Sequence, residues 1–122
     1  MARFTKAQRL LTSRDFDRVL DGTNTKVVCS DFVLVASSKD SVRPTRLGLI
    51  VSSKVGNAVV RNRIKRSLRC VFRTELVEEP ALIGRDLVII ARPAIAKKKE
   101  RTQTNIQDTL RRCIGRLVKE LK

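Results

Sequence analysis

The chain contains no histidine, no tryptophan and no tyrosine. Without histidine, proton transfer near neutral pH loses the side chain best suited to it, and any intrinsic chemistry falls to Asp, Glu, Lys or Cys. The order of those residues resembles neither a nucleophile with its base nor a glycine-rich phosphate loop of the GxxxxGK type, which argues against a self-sufficient enzyme. Cysteine is sparse as well. Cys29, Cys70 and Cys113 are odd in number, widely spaced and without a histidine to complete a zinc site, so neither a disulfide nor a metal centre is expected. The expectation is that all three are small apolar core residues on a strand and two helices. No apolar run approaches the roughly 20 residues that cross a bilayer. The N-terminal stretch MARFTKAQRLLTSRDF lacks the apolar core and cleavage site of a secretory signal, and a cytoplasmic protein with no membrane partner is expected.

Acids are scarce in a different way. Against 12 Asp and Glu stand 27 Lys and Arg, a formal charge of +15 over 122 residues, so the free chain repels itself and attracts polyanions. Nucleic acid is the leading partner class. A hydrophobic content of 42% supplies the apolar area for a core, and the length suits one domain over residues 1–122. Residues 1–12, with Arg3, Lys6 and Arg9, read as a flexible basic arm.

Thr12 or Ser13 caps an expected short helix through roughly Leu20, on which Phe16, Val19 and Leu20 share a face before Gly22 ends it. The β-branched stretch TKVVCSDFVLVAS, residues 25–37, fits two strands or one bent strand, with Asp31 as the bulge or break. RLGLIVSS reads as a buried strand after the turn SSKDSVRPT. Asn57 is the expected N-cap of a helix from Ala58 to about Leu76, and Pro80 and Gly84 separate it from the strand RDLVIIAR. Strand, helix, strand implies a parallel pair. Beyond Pro93 and the run Lys97–Lys99, a last helix is expected from about Thr102 to Leu121. Ile106, Leu110, Cys113, Ile114, Leu117, Val118 and Leu121 form its core stripe.

The segment most informative about function is GNAVVRNRIKRSLRCVFR, residues 56–73, inside a stretch from Ser41 to Thr74 that holds nine Lys or Arg and no acid. At roughly 100° per residue, Val60, Ile64, Leu68, Val71 and Phe72 gather on one face. Asn62, Lys65, Arg66, Arg69 and Arg73 gather almost opposite, with Arg61 and Arg63 on the flanks. A merely solvated helix face ordinarily alternates acids with bases to form i, i+4 pairs. Here the repulsion is left for an external polyanion to neutralise, and the arginine fork suits phosphate oxygens. Charge alone does not separate DNA from RNA, because phosphate contacts dominate affinity for both.

Those same residues carry a family likeness. RLGLIVSSKVGNAVVRNRIKRSLR closely resembles the signature of bacterial ribonuclease P protein components, most specifically in Arg61-Asn62-Arg63 with Lys65, Arg66 and Arg69. The likeness extends to Arg9-Leu10, Asp15-Phe16, Phe32-Val33-Leu34 and Val88-Ile89-Ile90-Ala91-Arg92, and so covers most of the chain. It implies an α/β (α+β) sandwich similar to the second domain of ribosomal protein S5, with a four-stranded mixed sheet, three helices and a left-handed β-α-β crossover. The general rule for such crossovers, right-handed in about 98% of cases, predicts the opposite hand.

The resemblance further implies a subunit of a ribonucleoprotein endonuclease that removes the 5′ leader of precursor tRNA. Its active site and Mg2+ are expected in the RNA subunit, with no catalytic residue, metal or other cofactor in the protein. The implied partners are that RNA and precursor tRNA, with no obligate protein partner. Lys54, Arg61, Asn62, Arg63, Lys65, Arg66, Arg69 and Arg73 are the implied RNA-binding set. A leader-binding cleft between the first helix and the sheet is implied at Arg9, Phe16, Leu20, Phe32 and Val35, with ordinary core packing as the alternative for the two phenylalanines. Leu20 and Val35 stand where relatives commonly carry an aromatic, so leader binding is expected to rest on charge and apolar packing more than on stacking. The rival classes are a ribosomal or general RNA-binding protein, a DNA-binding architectural protein and an independent nuclease.

Overall fold

The computed structural model describes residues 17, 19–20, 24–29, 31–37, 45–76, 79–93 and 103–121. Two short runs of β-branched residues open it as a hairpin. Strand β1, Thr25–Val28, pairs antiparallel with β2, Phe32–Ala36, from Thr25↔Ala36 to Val28↔Val33. The chain reverses at the break expected near Asp31, where the Cys29 N–H donates to the Phe32 carbonyl at 2.8 Å.

After β3, Arg46–Ile50, helix α1 spans Ala58–Val71 and runs into a π-helical turn, Phe72–Leu76. Strand β4, Asp86–Ala91, and helix α2, Gln103–Leu121, complete the described elements. Strand β4 lies between β2, antiparallel to it, and β3, parallel to it, in the order β1-β2-β4-β3. The four-stranded mixed sheet and the parallel pair flanking α1 match the expectation. Of the expected first helix only Asp17, Val19 and Leu20 are described, the first two as helical. Phe16, Gly22, the basic arm with Arg9, and Lys97–Lys99 lie outside the described residues.

Strand alternation divides the sheet into two faces. Phe32, Leu34 and Ala36 of β2, Leu87, Ile89 and Ala91 of β4 and Leu47 of β3 join the apolar stripes of α1 and α2 in the main core. The helical share comes from Ile64, Leu68, Val71 and Phe72, and from Ile106, Leu110, Cys113, Ile114 and Leu117. Each fully buried Leu among them contributes about 1.5–3 kcal/mol of transfer free energy. The opposite face carries a smaller cluster, Val19, Val35 and Val88, flanked by half-buried Val33, Ile50 and Ile90.

Local polar contacts fix how α1 enters and where β3 meets β4. Asn57 is extended, and its side-chain oxygen accepts from the Val60 N–H at 3.0 Å, satisfying a donor in the first turn. A side chain at Gly56 would press on the branched Cβ of Val60 at 3.0 Å, tighter than ordinary packing, and glycine leaves that approach open. Gly84, at φ 81°, supplies the left-handed step into β4. The Arg46 guanidinium grips Asp86 in bidentate fashion, Nε to Oδ1 and Nη2 to Oδ2, both 2.8 Å, and these residues are register partners. The Asp86 N–H also donates to the Ser37 hydroxyl at 2.8 Å, so the pair anchors the ends of three strands.

One expectation fails outright. Cys29 and Cys113, read from the sequence as unpaired apolar residues, form a disulfide with α-carbons 6.3 Å apart. Their separation of 84 residues hides the pairing until α2 is laid across the end of β1. Cys70 is free, as expected.

Replacing Asn57 with Ala should lower unfolding free energy by about 1 kcal/mol, the usual worth of an N-cap. Asp86→Ala should cost more, about 2–4 kcal/mol, because it removes the bidentate carboxylate from a guanidinium that is only partly solvated. Urea unfolding of each variant measures both, and equal losses would contradict the role given to the Arg46–Asp86 pair.

Candidate nucleic-acid interface

Helix α1 reaches the surface with one side committed to the core and the other cationic or amide beyond the first turn, where Val59 is exposed. Asn62, Arg63, Arg66 and Arg69 are exposed, while Lys65 and Arg61 are half-buried. Arg73 follows in the π-helical turn, half-buried, and Lys54 is exposed in the loop that leads to Asn57. The structure thus gathers Asn62, Lys65, Arg66, Arg69 and Arg73 along one side over about three turns, with Arg63 and Arg61 at the margins. The Nε of Arg61 is buried and has no hydrogen-bond partner.

No carboxylate among the described residues pairs with any of these cations. The acid nearest in sequence is Glu75, and it is drawn elsewhere. Its carboxylate accepts from the Arg111 Nε of α2 at 3.1 and 2.9 Å, while Asp108 takes the Arg111 Nη1 at 2.8 Å. The hydrogen bond from Arg111 to Glu75 is the main cause that raises the guanidinium's pKa above its ordinary value. Two like charges about 6 Å apart in water repel by roughly 0.7 kcal/mol before salt screens them, so this row costs stability that no internal partner returns.

The helix is held in place from behind. Its Ile64, Leu68 and Val71 pack with the stripe of α2, and the Gln107 amide donates to the Ser67 carbonyl at 3.3 Å. The Glu75–Arg111 pair makes a second tie, from α2 to the π-helical turn that continues α1. A rigid strip roughly 20 Å long results, from 14 residues at about 1.5 Å each.

The second face of the sheet offers a different surface. Val33, Ile50 and Ile90 form a half-buried aliphatic floor next to Val35 and Val88, which Val19 covers. Leu20 is 40% exposed near this end. Val35 therefore lies on the face where a cleft was expected. Phe32 does not: it is fully buried in the main core beneath the helices. The two residues are three apart on one strand and must point to opposite faces, so the alternative of core packing applies to Phe32. The same alternation in FVLVA and DLVIIA would have picked out Val33 and Ile90, which the sequence-based expectation omitted. Arg9 and Phe16 lie outside the described residues.

Known proteins resemble this chain in sequence and fold. The family model described as Ribonuclease P matches residues 4–118. A ribonuclease P protein component from Marinomonas sp. (strain MWYL1) is 38% identical over 96% of this chain and 84% of its own length. One from Legionella pneumophila (strain Corby) is 44% identical over 80% and 81% of the two chains. Among solved structures, the Staphylococcus aureus RNase P protein superposes with a TM-score of 0.76 at 32% identity, covering 90% of this chain and 94% of that one. The Thermotoga maritima RNase P protein gives 0.74 at 29% identity, over 88% and 96%. On sequence and backbone alike, the chain belongs to the family of ribonuclease P protein components.

Proposed function

We propose that this chain is the protein subunit that binds the catalytic RNA of a ribonuclease P and helps it remove the 5′ leader of precursor tRNA. The observation that carries the reading is the unpaired cationic side of α1. In this reading Lys54, Arg61, Arg63, Lys65, Arg66, Arg69 and Arg73 neutralise phosphates of the RNA subunit, and Asn62 meets a base edge or 2′-hydroxyl. An A-form major groove is too narrow to admit a helix, so α1 lies along backbones or in a folded junction.

The single-stranded leader crosses the aliphatic floor at Val33, Val35, Ile50 and Ile90, near Leu20. Apolar packing and backbone charge hold it there, since no aromatic ring is described on that face. The protein brings two polyanions together and screens their repulsion, while bond cleavage belongs to the RNA. Mg2+ is assigned to the RNA as well. The chain's own part in this reading is confined to binding. A cytoplasmic location and the S5-like fold with a left-handed β3–α1–β4 crossover complete the proposal. The parallel β3–β4 pair flanking α1 and the fit to solved RNase P proteins support that fold. No helix among the described residues is long and apolar enough to cross a membrane.

Purified protein should raise cleavage of precursor tRNA by its cognate RNA at low magnesium concentration. No stimulation with that RNA, or tighter binding to duplex DNA than to structured RNA, would overturn the proposal. Arg66→Ala and Arg69→Ala should each weaken RNA binding and reduce the slope of log K against log salt by about 1 for each phosphate no longer neutralised. Ile90→Glu should lower affinity for precursor tRNA while leaving mature tRNA unaffected, and an equal loss for both would remove the leader from this face.

A further inference from the structure

The Cys29–Cys113 pair lies outside the set of residues proposed above to bind RNA, and a cation stands beside its accessible sulfur. Cys29 follows β1 at the hairpin turn and is partly accessible; Cys113 sits in the buried stripe of α2 at 2% exposure. Their α-carbons, 6.3 Å apart, fall within the span of about 4.4–6.8 Å that a disulfide bridges without backbone movement. A guanidinium stands beside the accessible sulfur. Arg116 directs Nη1 to the Cys29 Sγ at 3.4 Å and to the Val28 carbonyl at 3.3 Å. Arg116 follows Cys113 by three residues, so one helix face presents both the partner sulfur and the cation. Arg92 donates from Nη1 to the Cys29 carbonyl at 2.8 Å and fixes the turn from the other side.

We propose that Cys29 and Cys113 are a reversible redox staple, closed and opened by exchange with low-molecular-weight thiols and disulfides. A cation next to a cysteine favours the thiolate, and the thiolate is the attacking species. Closure starts at Cys29, the thiol a reagent can reach. Its thiolate attacks one sulfur of the reagent disulfide, forms a mixed disulfide and expels one reagent thiolate. The Cys113 thiol then gives up its proton and attacks the Cys29 sulfur, expelling the second. Two protein thiols are oxidised, one reagent disulfide is reduced to two thiols, and no other oxidant is needed. Reduced glutathione runs the exchange backwards, so a reducing compartment keeps the couple open and an oxidising shift closes it.

The staple joins the edge hairpin, whose other face carries Val33, to the helix that supports α1 from behind. Closing a loop of this length restricts the unfolded chain far more than the folded one. Cys70, on α1 and outside the pair, acts as an internal control.

The test uses the full chain, fully reduced, then treated with oxidised glutathione. Peptide mapping should find Cys29 linked to Cys113 with the loss of two hydrogens, and no link to Cys70. The oxidised form should melt about 10 °C higher, a difference abolished by dithiothreitol. A persistent glutathione adduct on Cys29, a bridge to Cys70, or equal melting temperatures would overturn the proposal. Cys29→Ser should erase the melting difference. Should the buried Cys113→Ser variant not fold, the map and melting of the unaltered protein decide alone. Arg116→Met should slow closure by about tenfold and Arg116→Lys restore it, whereas equal rates in all three would remove Arg116 from the exchange.

Discussion

Cations gathered on one side of a helix with no acid among them repel one another, and α1 is helical because its other side is bound into the core. Ile64, Leu68 and Val71 supply the attraction, and the Asn57 cap satisfies the first turn, where no acidic residue assists the helix dipole. Remove that apolar commitment and the charge row would favour an extended chain in which the cations separate. The core therefore stores, in folded geometry, an electrostatic cost that a polyanion can relieve.

The division of labour between the two helices follows. Helix α2 has both acids and bases on its outer side, and its Arg111 takes up Glu75, the acid nearest in sequence to the charge row. With Glu75 engaged there, the cations of α1 remain unpaired. The sheet makes a parallel separation between its faces. One is filled by the helices, while the other leaves an aliphatic floor at Val33, Ile50 and Ile90. Two chemically different surfaces thus share one small fold, and the Arg46–Asp86 pair holds the strand ends in register between them.

Much of this architecture is legible in short stretches of chain. The caps and breaks at Asn57 and Asp31, the strand segments, the stripe of α2 and the two sides of α1 are each written in residues a few positions apart. The departures have physical causes. Phe32 cannot share a cleft with Val35, because a two-residue period sends them to opposite faces of β2. Wide spacing and an odd count of cysteines do not preclude a pair, because the fold closes distances that the chain leaves open.

By itself, the sequence determined which segments become helix or strand, which side of each turns inward, and that α1 carries positive charge no near neighbour balances. These are local properties, set by periodicity, capping and side-chain type. Only the tertiary structure decided the partners across distance: Glu75 with Arg111, Arg46 with Asp86, Cys29 with Cys113 and Arg116. Such pairs depend on how the strands are ordered and where α2 crosses β1, and no short-range pattern encodes the meeting of residues dozens of positions apart.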